Sequence, residues 1–286
     1  MSKIAVVTDS TAVVSEQLKQ HPDLFVLPIP VIIDGKPLID SDIIPDEFYE
    51  MLKTTDQLPT TSQPSMGEVL TLYQSLAEQG YDTVISIHLS SGISGFINHL
   101  TTMAADLDMI KVYPFDSLLT SAPMCDMVTT ALSLIDNGTE ISTVLSVLHD
   151  MRDYQRAYLV VDDLKHLVHG GRLKNGSALI GSLLNIKPVL HFDREGKIVV
   201  YDKIRSAKKA YKRCQELIAE HYNYLNQQAK ITIVHTAYEE KAQQIADELA
   251  KNLNTEVYVK DLGIVVGTHV GAKAIGFAIT KQEDNV

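Results

Sequence analysis

The chain has 286 residues, of which 45 % are hydrophobic and 21 % charged, so it can bury the core of one large domain or two ordinary ones. A formal net charge of −11 and the lack of tryptophan disfavour nucleic-acid binding, which needs a basic surface and often aromatic stacking. No apolar run approaches the roughly 20 residues that span a bilayer, and the first residues carry no signal-peptide pattern. With Cys125 and Cys214 far apart and expected to be reduced, we predict a cytoplasmic protein.

In the first half of the chain, apolar β-branched runs alternate with helical periodicity. Strands are predicted at 4–8, 83–89 and 110–115, while 25–33 contains two prolines and is expected to be an extended edge segment. Ser15 is a candidate cap for a following helix. Further helices are predicted over 44–53, 66–79, 96–106, 125–135 and 141–153.

The second half shows the same alternation. Strands are predicted at 158–161, 187–192, 197–201, 231–235 and, as the last one, 256–261. Helices are predicted over 162–169, 208–222 and 239–253, and the glycine-rich segment 263–276 is expected to end in a short apolar helix. This pattern predicts α/β layers. We expect an N-terminal lobe over 1–156 and a C-terminal lobe over 157–282.

The clearest functional signal is the loop Ser90-Ser91-Gly92-Ile93-Ser94-Gly95, which follows a predicted strand and opens a helix. Free backbone N–H groups at such a place bind anions, and serine hydroxyls add donors. The loop is neither a Walker A sequence nor G-x-G-x-x-G, so it argues weakly for a nucleotide. An ordinary helix cap explains the same residues equally well.

Three other loops carry polar side chains. Thr60–Ser65 is rich in hydroxyls and proline, His269 lies between Thr268 and Val270 in a glycine-rich stretch, and Asp9-Ser10-Thr11 ends the first predicted strand. Ligands bind at that end of strands in open parallel sheets. Taken alone, Thr60–Ser65 also suits a surface turn, His269 also suits a hydrogen-bonded loop histidine, and Asp9-Ser10-Thr11 also suits an ordinary turn before a helix.

Metal and hydrolase sites are poorly supported. His166 and His169 stand three apart without a third ligand nearby, and the chain has no H-E-x-x-H and no G-x-S-x-G pattern. The adjacent Asp162 and Asp163 suit helix capping better than acid–base catalysis. We therefore expect no metal and no cofactor.

Six motifs in order resemble the DegV family of fatty-acid-binding proteins. They are VTDST at 7–11, TSQPS at 61–65, SSGISG at 90–95, VDDLKHLVHGGR at 161–172, LLNIKPVL at 183–190 and GTHVG at 267–271. The resemblance implies an α/β fold of two lobes, with a mostly parallel sheet and flanking helices in the N-terminal lobe, a smaller α/β C-terminal lobe, and a lipid between them.

The resemblance also implies the function. A long-chain fatty acid would be bound and its carboxylate presented to a separate ATP-dependent kinase subunit, which makes the acyl-phosphate for phospholipid synthesis. The chain itself would be a monomer without independent catalysis. The implied carboxylate-binding residues are Thr61, Ser62, Ser94 and His269. The implied supporting residues of the head-group loops are Ser10, Ser91, Gly92 and Gly95, and Arg172 and Arg205 are implied to dock the kinase.

Two positions depart from the family pattern. Phe96 replaces a small hydroxyl residue and stands where it would narrow the pocket, and Lys273 would either pair with the carboxylate or point away. Two alternatives remain open. One is a stand-alone enzyme for a small carboxylate or phosphate compound, which needs His269 or His88 as a base near Ser94. The other is a sensor that binds such a ligand or a lipid and changes conformation.

Overall fold

The computed structural model describes residues 3–55, 57–179 and 186–282. The N-terminal half contains seven strands, namely β1 (Ile4–Asp9), β2 (Leu24–Leu27), β3 (Val31–Ile33), β4 (Lys36–Leu38), β5 (Thr60–Thr61), β6 (Thr83–His88) and β7 (Lys111–Asp116). Its α-helices are α1 (Pro45–Thr54), α2 (Met66–Glu78), α3 (Phe96–Ala105), α4 (Ser121–Asp136) and α5 (Ile141–Tyr154). Short 3-10 helices occupy Ser10–Ala12, Leu18–Gln20 and Asp40–Asp42.

The N-terminal half builds one parallel sheet and one small antiparallel sheet. The parallel sheet has the order β2-β1-β6-β7, and the small one has the order β4-β3-β5. Every residue of β6 is buried, including the polar Ser86 and His88, because this central strand is covered on both faces. In α2, Val69, Tyr73 and Leu76 recur at helical spacing and are fully buried, while Ser65 and Glu68 form a capping box.

The C-terminal half forms a mixed sheet with the order β10-β9-β8-β13-β11-β12, in which only β11 and β12 pair in parallel. Its strands are β8 (Arg156–Val160), β9 (Val189–Phe192), β10 (Ile198–Asp202), β11 (Ala229–His235), β12 (Val257–Asp261) and β13 (Ile275–Lys281). Its helices are α6 (Lys165–His169), α7 (Gly176–Leu179), α8 (Ala207–Tyr224), α9 (Glu239–Leu253) and α10 (Ile264–Val270). This sheet begins at Arg156; the lobe boundary at 156/157 stays a prediction.

Several predicted elements differ from the structure. The last strand is β13, in the middle of the second sheet, and the apolar helix α10 lies within the glycine-rich segment instead of ending it. A short apolar run cannot be assigned to strand or helix by periodicity alone. Helix α4 begins at Ser121 instead of Cys125, with Pro123 in its first turn. The helix predicted after Ser15 is only the 3-10 turn Leu18–Gln20.

The two cysteines are buried and free, as predicted. Part of the LLNIKPVL motif and most of the polar C-terminal tail lie outside the described residues.

The two lobes touch where the SSGISG loop meets the turn between β9 and β10. The Ser90 hydroxyl donates to the Gly196 carbonyl oxygen at 2.8 Å and accepts from the Gly92 N–H at 3.0 Å. A Cβ at Gly92 would lie 2.2 Å from the Gly196 carbonyl atoms, far inside contact distance. Glycine at position 92 therefore allows the backbones of the two lobes to approach.

We predict that Gly92→Ala destabilises the protein by about 1–3 kcal/mol, because the added methyl group forces rigid backbone segments apart. Denaturant unfolding would measure the change. Gly67→Ala is the matched control, since Gly67 is exposed and its nearest neighbour to an added Cβ is Ser65 Oγ at 3.9 Å. Equal stability of the two variants would contradict this account of the lobe contact.

Candidate ligand-binding site

A cavity of about 340 Å³ lies between the lobes, within the size range of small-molecule sites. Loops that follow β1, β6 and β7 form one wall, at the carboxyl ends of parallel strands. Strands β8 and β13 and helix α10 contribute to the other wall. The lining is mostly apolar and includes Leu89, Ile93, Leu159, Phe192, Val265 and Phe277. No aspartate or glutamate lines it within the described part of the chain.

Thr61 and His269 meet at this cavity from opposite lobes. Pairing of β5 with β3 places Thr61 opposite Val31, and His269 lies on α10. Thr61 Oγ1 and His269 Nε2 are hydrogen bonded at 2.8 Å. Ser62 lines the cavity beside Thr61, and its N–H donates to the Pro30 carbonyl oxygen at 3.0 Å.

The His269 imidazole is neutral at physiological pH. Burial lowers the pKa of His269 to about 3, and the positive charge of Arg172 and the nearby His166 and His169 act in the same direction. A neutral imidazole carries one N–H, so it can donate one hydrogen bond and accept another.

Arg172 also lines the cavity, and it is half-buried. Its Nε donates to the Ile93 carbonyl oxygen at 3.2 Å, and its Nη1 donates to the carbonyl oxygen of Gly170. Burial lowers the pKa of this guanidinium from its usual value. Among the described residues no carboxylate lies within ion-pair distance of Arg172. The cavity thus holds a cation that forms no ion pair with a carboxylate of the described residues.

Ser94 reaches the cavity from the turn that precedes α3. Its hydroxyl accepts from the Phe96 N–H at 3.3 Å, and its own N–H donates to the Ser90 carbonyl oxygen at 3.1 Å. The sequence-predicted residues Thr61, Ser62, Ser94, His269 and Arg172 therefore share one cavity.

The predicted supporting residues do not line the cavity. Ser10 Oγ accepts from the Ile29 N–H at 3.1 Å, and the Ser91 N–H donates to the Asp116 carboxylate at 3.2 Å. Gly92 contacts the other lobe, and a Cβ at Gly95 would lie 3.1 Å from Gln63 Nε2. Their support of the loops that carry Thr61 and Ser94 stays a prediction.

Three further polar residues line the cavity, namely Thr11, Thr120 and Ser121. Thr11 belongs to the candidate loop Asp9-Ser10-Thr11, and its hydroxyl donates to Asp9 Oδ1 at 2.6 Å. Sequence reasoning missed Thr120, which precedes α4, and Ser121, which begins that helix, and no sequence pattern marks them.

His88 does not reach the ligand cavity. It is fully buried, and its Nδ1 lies 3.0 Å from Asp9 Oδ2 while its Nε2 lies 2.7 Å from Ser86 Oγ. Ser86 also bonds Tyr73 at 2.7 Å inside the first lobe. This Ser–His–Asp arrangement is therefore part of the packed interior and is closed to substrates.

The remaining singled-out residues lie away from the cavity lining. Phe96 is fully buried and packs edge-to-face on His88 at 4.7 Å, so the expectation that it narrows the pocket is wrong. Lys273 is exposed, and its N–H donates to the Thr236 carbonyl oxygen. Arg205 is exposed in the connection from β10 to α8.

Over the part of the chain that the structure describes, no three histidine, cysteine or acidic side chains cluster in a way that would hold a metal ion. None of the described helices has the length and apolar character needed to cross a membrane.

Comparisons with known proteins agree over the whole chain. The family described as "Uncharacterised protein, DegV family" matches residues 3–282. Protein DegV of Bacillus subtilis is 41 % identical over 276 residues, covering 96 % of this chain and 97 % of that protein. A DegV domain-containing protein of Streptococcus pyogenes is 42 % identical over 286 residues, covering 98 % and 99 %.

Solved structures give the same result. The fatty acid binding DegV family protein of Streptococcus agalactiae superposes with a TM-score of 0.94 at 38 % identity, covering 99 % of this chain and 100 % of the other. DegV of Bacillus subtilis, described as a fatty acid binding protein, superposes with a TM-score of 0.88 at 38 % identity and the same coverage. With this agreement in sequence and in fold, the chain belongs to the DegV family.

Proposed function

We propose that this protein binds one long-chain fatty acid in the cavity between its lobes and presents the carboxylate to a separate ATP-dependent kinase subunit. The observation that carries the proposal is the composition of the cavity lining. Apolar walls surround hydroxyl groups, the neutral His269 and the guanidinium of Arg172, and none of the described lining residues is acidic. Such a surface favours an apolar ligand with one anionic end. The relatives described as fatty-acid-binding proteins support the same ligand class.

We place the carboxylate at Thr61, Ser62, Ser94 and His269. Hydroxyl donors stabilise an anion through charge-assisted hydrogen bonds, which are stronger than neutral ones, and His269 holds the Thr61 hydroxyl through their hydrogen bond. The Arg172 guanidinium supplies the balancing charge from the same cavity. Two of its five N–H donors are used on the Ile93 and Gly170 carbonyls, which fixes the guanidinium beside the hydroxyl cluster.

The acyl chain would supply most of the affinity. Each buried methylene group contributes about 0.8 kcal/mol, so a chain of about sixteen carbons gains on the order of 10 kcal/mol before the entropy of binding is subtracted. Residues from both lobes would enclose this chain. A small carboxylate or phosphate compound would leave those apolar walls unfilled.

Phosphorylation requires a second protein in this proposal. The reaction needs a nucleotide that supplies an activated phosphoryl group. The two candidate bases already have other contacts, since His88 is enclosed in the first lobe and His269 is hydrogen bonded to Thr61. The bound carboxylate would attack the terminal phosphoryl group of ATP held by the partner. Arg205, which is exposed, and Arg172 at the cavity would contact acidic groups of that partner.

Thr61→Ala and Ser94→Ala are each expected to weaken fatty-acid binding about 10- to 100-fold, since each removes a donor to a charged oxygen. Mass spectrometry of organic-solvent extracts, beside native mass spectrometry of the intact protein, would identify the lipid and its stoichiometry. Titration of the delipidated variants with palmitate and oleate would give the affinities.

Thr60→Ala and Ser41→Ala are the matched controls, because both residues are exposed and lie outside the cavity lining. A wild-type protein that stays empty after incubation with a fatty-acid mixture would refute the proposed function and favour the small-carboxylate alternative.

The neutral His269 gives a pH signature in stability. The unfolded histidine takes up a proton near pH 6.5, whereas the folded one does so only near pH 3, so the unfolded state binds the additional proton between these values. The free energy of unfolding should therefore fall on acidification through this window, by up to about 1.4 kcal/mol per pH unit from this group. His269→Gln should have a shallower slope in denaturant unfolding between pH 4 and 6. Parallel slopes would show that His269 is not held neutral.

Docking is best tested at Arg205, because a change at Arg172 would also alter the cavity. Arg205→Glu is expected to keep its affinity for oleate and to lose acyl-phosphate formation in a bacterial extract with ATP, with the product trapped by hydroxylamine. Lys251→Glu, an equal charge change at an exposed position of α9, is the control. Acyl-phosphate formation at the wild-type level with the Arg205→Glu protein would contradict a docking role for this residue.

A further inference from the structure

Two neighbouring glycines follow α6, and they are glycines for different reasons. Gly171 has φ +70° and nothing within 4 Å of a Cβ built on it, so its conformation alone favours glycine. Gly170 has φ −69° and ψ −10°, which any residue adopts. The backbone therefore does not require glycine at position 170.

What excludes a side chain at position 170 is the imidazole of His269. A Cβ there would lie 2.5 Å from His269 Nδ1 and 3.3 Å from Cε1, and real Cβ atoms essentially never come closer than 3.0 Å. The ring cannot retreat freely, because its opposite edge holds Thr61 at 2.8 Å. The imidazole is thus held between the backbone of Gly170 and the hydroxyl of Thr61.

This contact also bears on which nitrogen carries the proton. Nε2 has a partner in Thr61, whereas no hydrogen bond joins Nδ1 to a described residue. Nδ1 faces the Gly170 backbone, where a ring hydrogen would have no acceptor among the described residues, and an N–H without an acceptor is more costly than an acceptor without a donor. The neutral ring therefore favours the proton on Nε2, donated to Thr61 Oγ1. The threonine hydroxyl proton is then free to point at a ligand.

We propose that Gly170 is a positioning residue for the head-group site: its missing side chain lets His269 reach Thr61 with the proton on Nε2, and so orients the Thr61 hydroxyl toward an anionic ligand. This inference rests on the proposed function, because the anion is the fatty-acid carboxylate. It adds a residue that does not itself line the cavity.

Arg172 offers a competing role for Gly170, because the Gly170 carbonyl oxygen accepts from its guanidinium. That bond uses backbone atoms only, so Gly170→Ala retains it. The variant therefore separates the two roles, since its new methyl group presses on the His269 ring at 2.5 Å and, much less closely, on the His166 carbonyl oxygen at 3.2 Å.

Gly170→Ala is expected to bind palmitate and oleate at least about tenfold more weakly than the wild type, through displacement of the imidazole from Thr61. Gly67→Ala, which adds the same methyl group at an exposed position, should bind like the wild type. Affinities are measured by displacement of a fluorescent fatty acid from the delipidated full chain.

A double-mutant cycle tests whether the effect passes through His269. In a His269→Ala background the ring is absent, so adding Gly170→Ala should change the affinity for oleate by less than about twofold. A further loss of tenfold in that background would mean that Gly170 acts elsewhere and would overturn the inference.

The wild-type protein supplies a second readout that needs no variant to fold. In ¹H–¹⁵N spectra of the histidine side chains, His269 should carry its proton on Nε2, and a proton on Nδ1 would overturn the inference. Failure of the proposed function looks different, because the wild type would then bind neither palmitate nor oleate. If the wild type binds both fatty acids and Gly170→Ala binds them equally well, the result supports the fatty-acid function and contradicts the positioning role of Gly170.

Discussion

The closing of two lobes over an apolar cavity is the constraint on which the rest of this structure depends. Each lobe has its own sheet and core, but the cavity walls come from both. The polar end of the cavity depends on the same closure, because Thr61 and His269 are 208 positions apart and belong to different lobes. The head-group site and the enclosed apolar space therefore exist together.

The electrostatics of the cavity are opposite in sign to those of the whole chain. The protein carries a formal net charge of −11, yet Arg172 lines the cavity and no described acidic side chain does. Burial keeps His269 neutral, since a second cation beside Arg172 in a water-poor space is costly. The result is a site with one balancing charge and several neutral donors, which suits a single carboxylate better than a doubly charged phosphate.

Close approach to another part of the chain explains two glycines of the functional loops. Gly92 lies against the Gly196 carbonyl group of the other lobe, and Gly170 lies against the His269 ring. In both places a methyl group would occupy space already taken by atoms that cannot move freely. The glycine-containing motifs thus encode contacts between distant parts of the chain as well as turns.

The sequence by itself determined most helices and strands of the N-terminal half, because largely apolar runs such as β6 and capped helices such as α2 are local patterns. It also determined the family and the hydroxyl loops, through six motifs in register. It did not determine the position of β13, whose short apolar run suits either a strand or a helix until its neighbours are known.

Only the tertiary structure decided which motif residues meet. The sequence predicts Arg172 as a docking residue, but it also lines the cavity, and the sequence predicts Phe96 at the pocket, but it packs into the first lobe. Sequence motifs give the types of residue and their order along the chain. The direction of a side chain, and the distance between residues such as Gly170 and His269, depend on how the lobes pack, and that packing is a property of the whole chain.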